Sequence, residues 1–323
     1  MKTADISESG GALQPGRIAG ICLAIAVFAC VGLAGEVRAQ PLRLEREYTL
    51  VKTFKTGFTD AARGIAVTAQ GRIYAAGDQA VHIIGPSGDH ASFPVPGEPA
   101  CIAISTNGLL YLGIGGHVEV MDHCGTPKAQ WAPPGTNSVI TGIAVGRDSI
   151  WVADAGRREI VRYSKDGTVT GHLGGRTDTA DTNSLVVPSP HLDVAEDAAG
   201  RVWVANPGRH RLQVYEAAGT LLKAWGFFSH EDPAGFTGCC NPADFACAPD
   251  GAIVTADKGA LAQVRVFDPD GKLLAIVAAP SEFRSPNASC MGSGLDVATD
   301  GQGQIYVLNP ATQRVLVFAR KGK

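Results

Sequence analysis

The sequence predicts an all-β fold: a six-bladed β-propeller closed by an N-terminal strand and preceded by a signal or anchor segment. Three observations predict it. A short apolar motif recurs six times, further strand-like runs follow each copy, and the last copy lacks its fourth run. The composition agrees, because 45% of the 323 residues are hydrophobic and 40 are glycines, which suits a protein of many tight turns.

The recurring motif marks the first strand of each blade. Its six copies are GIAV from Gly64, CIAI from Cys101, GIAV from Gly142, HLDV from His191, DFAC from Asp244 and GLDV from Gly294. Self-similarity along a chain indicates a fold that is built from repeated units. We therefore expect six units.

Two more runs follow every copy of the motif. The second runs are RIYAAG, LLYLGI, SIWVAD, RVWVAN, AIVTAD and QIYVLN, and the third runs are AVHIIG, HVEVMD, EIVRYS, RLQVYE, QVRVFD and RVLVFA. Apolar residues alternate within these runs, and Gly and Asp turns divide them, which is typical of antiparallel strands. Fourth runs follow only five copies: HASFPV, KAQWA, TVTGHL, TLLKAW and KLLAIVA.

The missing fourth run predicts how the ring closes. The last copy stops at Lys323 after its third run, while an unassigned strand-like segment, REYTLVKTF from Arg46 to Phe54, precedes the first copy. If this segment supplies the missing outer strand, the ring closes and two exposed sheet edges disappear. The predicted propeller domain is residues 40–323.

Residues 1–39 have the pattern of a leader. Lys2 and Arg17 precede an uninterrupted small and apolar run over residues 18–35, and small residues before Gln40 suit a signal peptidase. We predict cleavage before Gln40. The alternative is an uncleaved membrane anchor, since the run is close to the lower length limit of a membrane span. Both alternatives predict an exported propeller, periplasmic or extracellular.

The charge of the chain gives no general attraction to a polyanion. The net charge is −3 and only 18% of the residues are charged, which also argues against disorder. We therefore expect a protein, peptide or glycan partner at a local site. Export argues against nucleic acid, and membrane contact is expected only through residues 18–35 if they are not removed.

Residues 190–215, PHLDVAEDAAGRVWVANPGRHRLQVY, resemble an NHL repeat, and the six units together cover nearly all of residues 46–323. The segment GCCNPADFACAPDGAIVTADKG from Gly238 is similar to a group of exported bacterial NHL proteins that share a Gly-Cys-Cys-Asn-Pro element. The resemblance implies an NHL-type propeller. It implies no single activity, because NHL proteins include an amidating lyase, a streptogramin-inactivating lyase, sensor domains and RNA-binding modules.

Propeller geometry predicts which loops share a face. The links from fourth to first strand and from second to third strand emerge together, on what we call the top face. The longest links are of the first kind: RTDTADTNSLVVPSP from Arg176, FFSHEDPAGFTGCC from Phe227 and SEFRSPNASCMGS from Ser281. Long ordered insertions often carry function, so the top face is the predicted binding surface.

Four cysteines are expected on or near the top face: Cys101, Cys239, Cys240 and Cys290. In an exported chain, disulfides are the first expectation, with Cys290 paired to Cys239 or Cys240. The alternative is a thiolate metal or redox site, with a possible transition metal at Cys239 and Cys240. No Cys-x-x-Cys spacing supports the alternative.

Three polar residues are expected at the inner-strand mouths. His191 occupies the place of Gly64, and we favour a hydrogen-bonded histidine at the blade edge. A metal or acid-base role for His191 stays open, although a site that resembles the zinc site of the amidating lyase would need three such histidines. Asp193 and Asp296 share one repeat position. They suit a Ca²⁺ or acid-base site, but we favour hydrogen bonding at turns and strand edges.

The links from second to third strand are basic: Arg157, Arg158, Arg209, His210, Arg211, Lys258 and Arg314. They suit an anionic ligand, or else they hold neighbouring blades together. Two functions stay open. The preferred one is a non-catalytic exported propeller that binds its partner through the loop-rich face. The alternative is a metal-dependent lyase or hydrolase with a Cys/His/Asp centre at the channel mouth that includes His191 and Asp244.

Overall fold

The computed structural model describes residues 47–175, 183–283 and 294–322. These residues form six four-stranded antiparallel sheets, so the predicted six-bladed β-propeller is confirmed. The predicted leader, Cys290 and parts of two top-face insertions lie outside the described residues. Within those three ranges, no helix combines the length and the apolar character that a membrane crossing needs.

Blades 1 to 3 follow one another along the chain. Blade 1 contains β2 (Ala62–Val67), β3 (Ile73–Gly77), β4 (Ala80–Ile84) and β5 (His90–Pro94). Blade 2 contains β6 (Pro99–Ile104), β7 (Leu109–Ile114), β8 (His117–Asp122) and β9 (Pro127–Trp131). Blade 3 contains β10 (Ile140–Val145), β11 (Ile150–Asp154), β12 (Glu159–Tyr163) and β13 (Val169–Gly174).

Blades 4 to 6 complete the ring. Blade 4 contains β14 (Val194–Glu196), β15 (Val202–Asn206), β16 (Arg211–Tyr215) and β17 (Leu221–Trp225). Blade 5 contains β18 (Asp244–Cys247), β19 (Ile253–Ala256), β20 (Val264–Phe267) and β21 (Leu273–Ala278). Blade 6 contains β22 (Asp296–Thr299), β23 (Ile305–Asn309), β24 (Arg314–Arg320) and, from the other end of the chain, β1 (Tyr48–Lys55). Two short 3-10 helices lie at Pro207–Arg209 and Pro280–Glu282.

Strand exchange closes the ring, as predicted. β1 pairs antiparallel with β24, in a register that places Tyr48 opposite Arg320 and Lys55 opposite Arg314. One irregularity interrupts this register between Leu50 and Lys52. The third strand of blade 6 is therefore paired on both sides, which leaves no open edge there for another chain to add to.

The first strands of the six blades form the wall of the central channel. Each contacts the first strand of the next blade, in the cyclic order β2, β6, β10, β14, β18, β22 and back to β2. The beginnings of these strands all face the top of the molecule because the blades share one topology. Residues near the six motif starts are thereby brought to one place.

The hydrophobic core is divided among the blade interfaces. Six clusters of buried apolar residues occur in the described part of the chain, and each joins side chains of two neighbouring blades. The second strands supply both sides of the interfaces, and β3, β11, β15 and β23 are buried at every residue. Burial of both faces explains why these runs are almost wholly apolar.

Aspartate and glycine form many of the tight turns. Asp268 Oδ1 accepts hydrogen bonds from the backbone N–H groups of Asp270 and Lys272, both 2.9 Å long. Gly271 then adopts a φ of +89°, which glycine reaches without steric cost. The same Asp-x-x-Gly arrangement recurs between other strands, for example at Asp197 and Gly200.

The start of blade 4 departs from the repeat. The motif predicts an inner strand from His191, but β14 begins only at Val194. Leu192 instead bonds to the neighbouring blade: the Thr141 hydroxyl donates to its carbonyl over 2.7 Å and accepts from its N–H over 3.4 Å. His191 and Asp193 are therefore held at the channel mouth by a contact between blades.

Candidate functional site at the mouth of the central channel

A cavity of about 270 Å³ lies at the top of the channel. All six blades line it: Arg63, Ala100, Val139, Thr141, Pro190, His191, Asp193, Ala243, Asp244, Gly294, Leu295 and Asp296. Five of these residues directly precede a copy of the repeated motif, namely Arg63, Ala100, Thr141, Pro190 and Ala243. The position before the motif therefore marks the mouth in the sequence, and Arg63 and Thr141, which occupy it, were not among the predicted site residues.

Three aspartates form the acidic part of the cavity. Asp193 Oδ2 accepts a hydrogen bond from the Phe245 N–H at 3.2 Å, and Asp296 Oδ1 accepts one from the Ile65 N–H at 3.3 Å. Each bond runs from one blade to the inner strand of the next. The structure therefore supports the strand-edge role that the sequence favoured for Asp193 and Asp296. Asp244, one blade between them, hydrogen-bonds Asp296.

A glycine makes room for one of these carboxylates. A Cβ atom at Gly142 would lie 2.5 Å from Asp193 Oδ1, which is a clash, whereas one at Gly64 would lie 3.4 Å from Asp296 Oδ2, which is an ordinary contact. At Gly142 the reason for glycine is therefore steric, because the smaller residue admits the carboxylate of the neighbouring blade.

The aspartates hold protons near neutral pH. Burial raises the pKa of Asp193 to about 7, and burial together with the charge of Asp193 raises the pKa of Asp296 to about 8. The pKa of Asp244 is raised well above its ordinary value, by burial first and then by the charges of Asp296 and Asp193. Three carboxyls this close cannot all ionise without a cation nearby.

His191 and Arg63 bring basic groups to the rim. The His191 N–H donates to the Ser189 carbonyl over 2.6 Å, and the His191 ring faces Gly294. Arg63 forms an ion pair of 3.0 Å with Glu98, and both side chains are exposed. The cavity therefore combines an acidic interior with one guanidinium and one imidazole at its edge.

The predicted Cys/His/Asp metal centre is not assembled in the part of the chain that the structure describes. Within those residues, no group of three His, Cys, Asp or Glu side chains is placed to hold a metal ion. His191 and Asp244 meet at the mouth, but Cys239 and Cys240 do not line the cavity. Cys101 is buried in the core between blades 2 and 3, where burial raises its pKa.

Cys239 and Cys240 form a separate feature of the top face, in the link between β17 and β18. Cys239 is exposed, Cys240 is buried, and their Sγ atoms lie 3.0 Å apart. All five described cysteines are free thiols. Cys290 lies outside the described residues, so its pairing with Cys239 or Cys240 stays a prediction.

The basic residues of the second-to-third strand links lie on the top face, and two of them make contacts that bear on their role. Arg157 Nε donates to Glu159 Oε1 at 2.6 Å, within its own blade. His210 Nε2 lies 2.8 Å from the Gly238 carbonyl and so ties blade 4 to the following insertion. The His210 contact agrees with the alternative that these residues join neighbouring elements, the Arg157 contact does not join two blades, and ligand binding by either residue stays a prediction.

Lys258 differs from the basic surface residue that the sequence predicted. Its side chain is only 4% exposed, and its Nζ donates to Ser189 Oγ at 2.8 Å. The sequence alone did not reveal this burial, because the element that covers the Lys258 link, Gly-Cys-Cys-Asn-Pro, lies in a different link. Asn241 of that element accepts the Lys258 N–H at 2.9 Å and donates to the Lys258 carbonyl at 3.2 Å.

Exposed apolar side chains also occur on the top face, and one of them, Val139, lines the cavity. Nine large hydrophobic residues are exposed in the described part of the chain; five lie on outer strands. The other four are in top-face links: Val139, Phe227, Phe228 and Leu261. Phe228, 52% exposed, makes edge contacts with the rings of His210 and His230, with centroids 5.1 and 4.9 Å apart. The sequence signal for Phe227 and Phe228 is two adjacent aromatic residues at the start of a long insertion.

A buried arginine holds the insertion in place. Arg265, on β20, donates to the carbonyls of Pro233 and Gly235 at 3.0 and 2.6 Å. Its guanidinium also pairs with Asp257 at 2.7 Å, with both side chains fully buried, and lies 4.6 Å from the Phe236 ring centroid. The loop that carries Phe227, Phe228 and both cysteines is thus anchored to blade 5.

Comparison with known proteins identifies the fold of this chain but not its function. No family model and no curated sequence matches the chain. Virginiamycin B lyase from Staphylococcus aureus is similar in structure, with a TM-score of 0.57, 14% identity, and coverage of 84% of this chain and 99% of that one. A protein of unknown function from Bacteroides thetaiotaomicron gives a TM-score of 0.58 at 15% identity, with coverage of 85% and 72%. The WD40 propeller domain of Doa1 gives a TM-score of 0.55 at 15% identity, with coverage of 85% and 97%.

Proposed function

We propose that this chain is an exported, non-catalytic propeller that binds a peptide segment of a partner protein through its top face. The observation that carries the proposal is the channel mouth, to which all six blades contribute, on a face whose links also carry exposed apolar side chains. Ligand sites are typically concave and combine apolar and aromatic side chains with a few convergent polar groups. The NHL type of the repeat stays part of the proposal.

The chemistry of the mouth selects the peptide class. Asp193, Asp244 and Asp296 crowd together at raised pKa, so a cationic group that enters the cavity relieves their repulsion and replaces their protons. A cavity of about 270 Å³ accommodates one long basic side chain. Phe227 and Phe228 then offer apolar contact to a neighbouring side chain of the peptide.

Binding of short peptides to the purified propeller tests the proposal. The probes are terminally blocked peptides with one phenylalanine and one arginine at increasing separation, each matched by a peptide with citrulline, the neutral isostere of arginine. We expect the arginine peptide of best spacing to bind about tenfold or more tightly than its citrulline partner. The preference should grow from about pH 6 to about pH 9, as the carboxyls ionise.

Three variants separate the contributions. Asp244→Asn should remove the preference for arginine, and Phe228→Ser should weaken both peptides alike. Asp250→Asn is the matched control, because Asp250 lies in the exposed β18–β19 turn on the opposite face. Equal binding of arginine and citrulline peptides, or loss of binding in the control, would contradict the proposal.

Export is the second part of the proposal and rests on the leader pattern alone. N-terminal sequencing of the protein from its native compartment should find Gln40 first. A chain that begins at Met1 in the membrane fraction would support the anchored alternative. The metal-dependent lyase or hydrolase has no specific observation in its favour among the described residues.

A further inference from the structure

The top face carries a second built site, beside the channel mouth, around Cys239 and Cys240. We propose that these adjacent thiols form a redox-active pair that exchanges with disulfides, with Cys239 as the exposed attacking thiol and Cys240 as the buried resolving thiol. The 3.0 Å between their Sγ atoms is about 1 Å more than a disulfide bond. This inference does not rest on the peptide site.

A buried polar group supports the resolving thiol. Ser189 Oγ donates to Cys240 Sγ at 3.1 Å and accepts from Lys258 Nζ at 2.8 Å. Lys258 also hydrogen-bonds the Cys240 sulfur, and its side chain is 4% exposed. A lysine buried to this extent is costly unless it serves an anion, and the thiolate of Cys240 is an anion within its reach.

The backbone around the pair is fixed. Asn241, itself buried, donates to the Thr237 carbonyl at 2.7 Å and to the Lys258 carbonyl at 3.2 Å, and its Oδ1 accepts the Lys258 N–H at 2.9 Å. The Asn241 side chain thereby holds the backbone of Lys258 next to the segment that contains Cys240. This arrangement explains why an asparagine follows the two cysteines.

The surroundings set Cys240 apart from the other buried thiols. Burial alone would raise its pKa, but hydrogen bonds from Ser189, Cys239 and Lys258, together with the charge of Lys258, bring the pKa below the ordinary value. At Cys101 a backbone hydrogen bond from Gly113, and at Cys247 the charge of Arg201, do not offset burial, which raises both pKa values. Among these three cysteines, only Cys240 has the charge environment of a reactive thiol.

The exchange balances as follows. The Cys239 thiolate, its proton given to water, attacks one sulfur of a substrate disulfide, and the other substrate sulfur leaves as a thiolate and takes up a proton. Cys240, which gives its own proton to water, then attacks Cys239 Sγ as the thiolate and expels the remaining substrate sulfur, which is protonated in turn. Two electrons pass from the pair to the substrate, which ends as two thiols, while Cys239 and Cys240 end as a disulfide.

Equilibration of the reduced protein with glutathione buffers tests the proposal. After an acid quench and alkylation, mass spectrometry should show Cys239 and Cys240 becoming unreactive together, with one midpoint, while Cys101 and Cys247 stay reduced. In Cys240→Ser we expect a stable mixed disulfide of glutathione on Cys239. In Cys239→Ser we expect no reaction at residue 240, because Cys240 is 1% exposed.

Two further variants test the supporting groups. Ser189→Ala should slow the release of glutathione from the mixed disulfide by about tenfold, since it removes a hydrogen bond to the resolving thiolate. Cys124→Ser is the matched control: Cys124 is an exposed thiol of the opposite face, and its loss should change neither rate nor midpoint. A disulfide-bonded peptide in place of glutathione distinguishes protein from small-molecule disulfides as the substrate.

Three results would overturn the inference. The first is that the pair stays reduced in folded protein under oxidised glutathione. The second is a disulfide that links Cys239 or Cys240 to Cys290. The third is one equivalent of zinc or copper in the purified protein that is retained only when both thiols are present. Peptide binding at the channel mouth should be unchanged in Cys240→Ser. Failure of one proposal therefore leaves the other standing.

Discussion

At the scale of single residues, one kind of hydrogen bond at the channel mouth has two effects. Asp193 and Asp296 each accept a backbone N–H from the next blade, which holds adjacent inner strands in register. The same bonds aim the carboxyls into the cavity, where burial raises their pKa values. A residue that stabilises the ring thus also determines the charge of the mouth.

The carboxyl cluster predicts a stability that falls with rising pH. A carboxyl whose pKa is raised on folding binds more protons in the folded state, so its contribution is complete below the unfolded value and is lost as pH rises through the folded value. For Asp193 and Asp296 the loss falls between about pH 4 and the folded values of about 7 and 8. We expect the melting temperature to decrease over this range.

Replacement of Asp244 by asparagine should flatten this dependence. The amide keeps the size of the carboxyl and cannot ionise, so the variant should melt several degrees above the parent protein at about pH 9 and near it at about pH 5. Thermal melts followed by circular dichroism measure the difference. An unchanged pH slope in Asp244→Asn, with the same slope in the Asp250→Asn control, would show that the cluster does not titrate as described.

At the scale of elements, the insertion between β17 and β18 depends on Arg265. The side chain bonds two loop carbonyls and one buried carboxylate, and it packs on Phe236. Burial raises the pKa of Asp257 to about 6, although Arg265 lowers it in opposition. Removal of the guanidinium would leave both the loop and Asp257 without their partner.

We therefore predict that Arg265→Met destabilises the protein by about 3 to 5 kcal/mol, the usual effect of breaking a buried ion pair. The loop should become accessible to proteases ahead of the blades. Denaturant unfolding and limited proteolysis measure the two effects. Lys128→Met, which removes an exposed pair with Asp122, is the control and should cost at most about 1 kcal/mol. A loop that stays resistant in Arg265→Met would contradict the anchoring role.

The sequence predicts strands better than it predicts side-chain environments. Alternating apolar runs and Asp-x-x-Gly turns identify the blades because backbone pairing and burial depend on local pattern. The burial of Lys258 could not be read in this way, since the element that covers it is contributed by residues 238–242, in a different link. The delayed start of β14 likewise depends on Thr141, about fifty residues earlier in the chain.

At the scale of the whole molecule, stability is shared by all six blades. Each apolar cluster belongs to two blades, and β1 joins the two ends of the described chain in one sheet. Among the described residues, every apolar cluster is shared and none belongs to a single blade. Unfolding of one interface therefore exposes apolar surface on both of its neighbours.

Deletion of residues 1–55, which removes β1, tests how much the closing strand contributes to stability. Without β1, the outer edge of β24 is unpaired, and Tyr48 is lost from the cluster between blades 5 and 6. We expect a lower melting temperature and self-association on size-exclusion chromatography. A chain that lacks only residues 1–46 keeps β1 and should remain monodisperse relative to it. Equal behaviour of the two truncations would contradict the role of the exchange.

The pairing of β1 with β24 also determines when the ring can close relative to synthesis of the chain. β1 is made before the other described strands and its partner β24 after them, so the ring cannot close until β24 has been made. If the protein is exported as proposed, the chain can pass through a translocation pore while the ring is still open. Closure then waits until the C-terminal strand has arrived on the far side, where the free thiols of the top face first meet an oxidising environment.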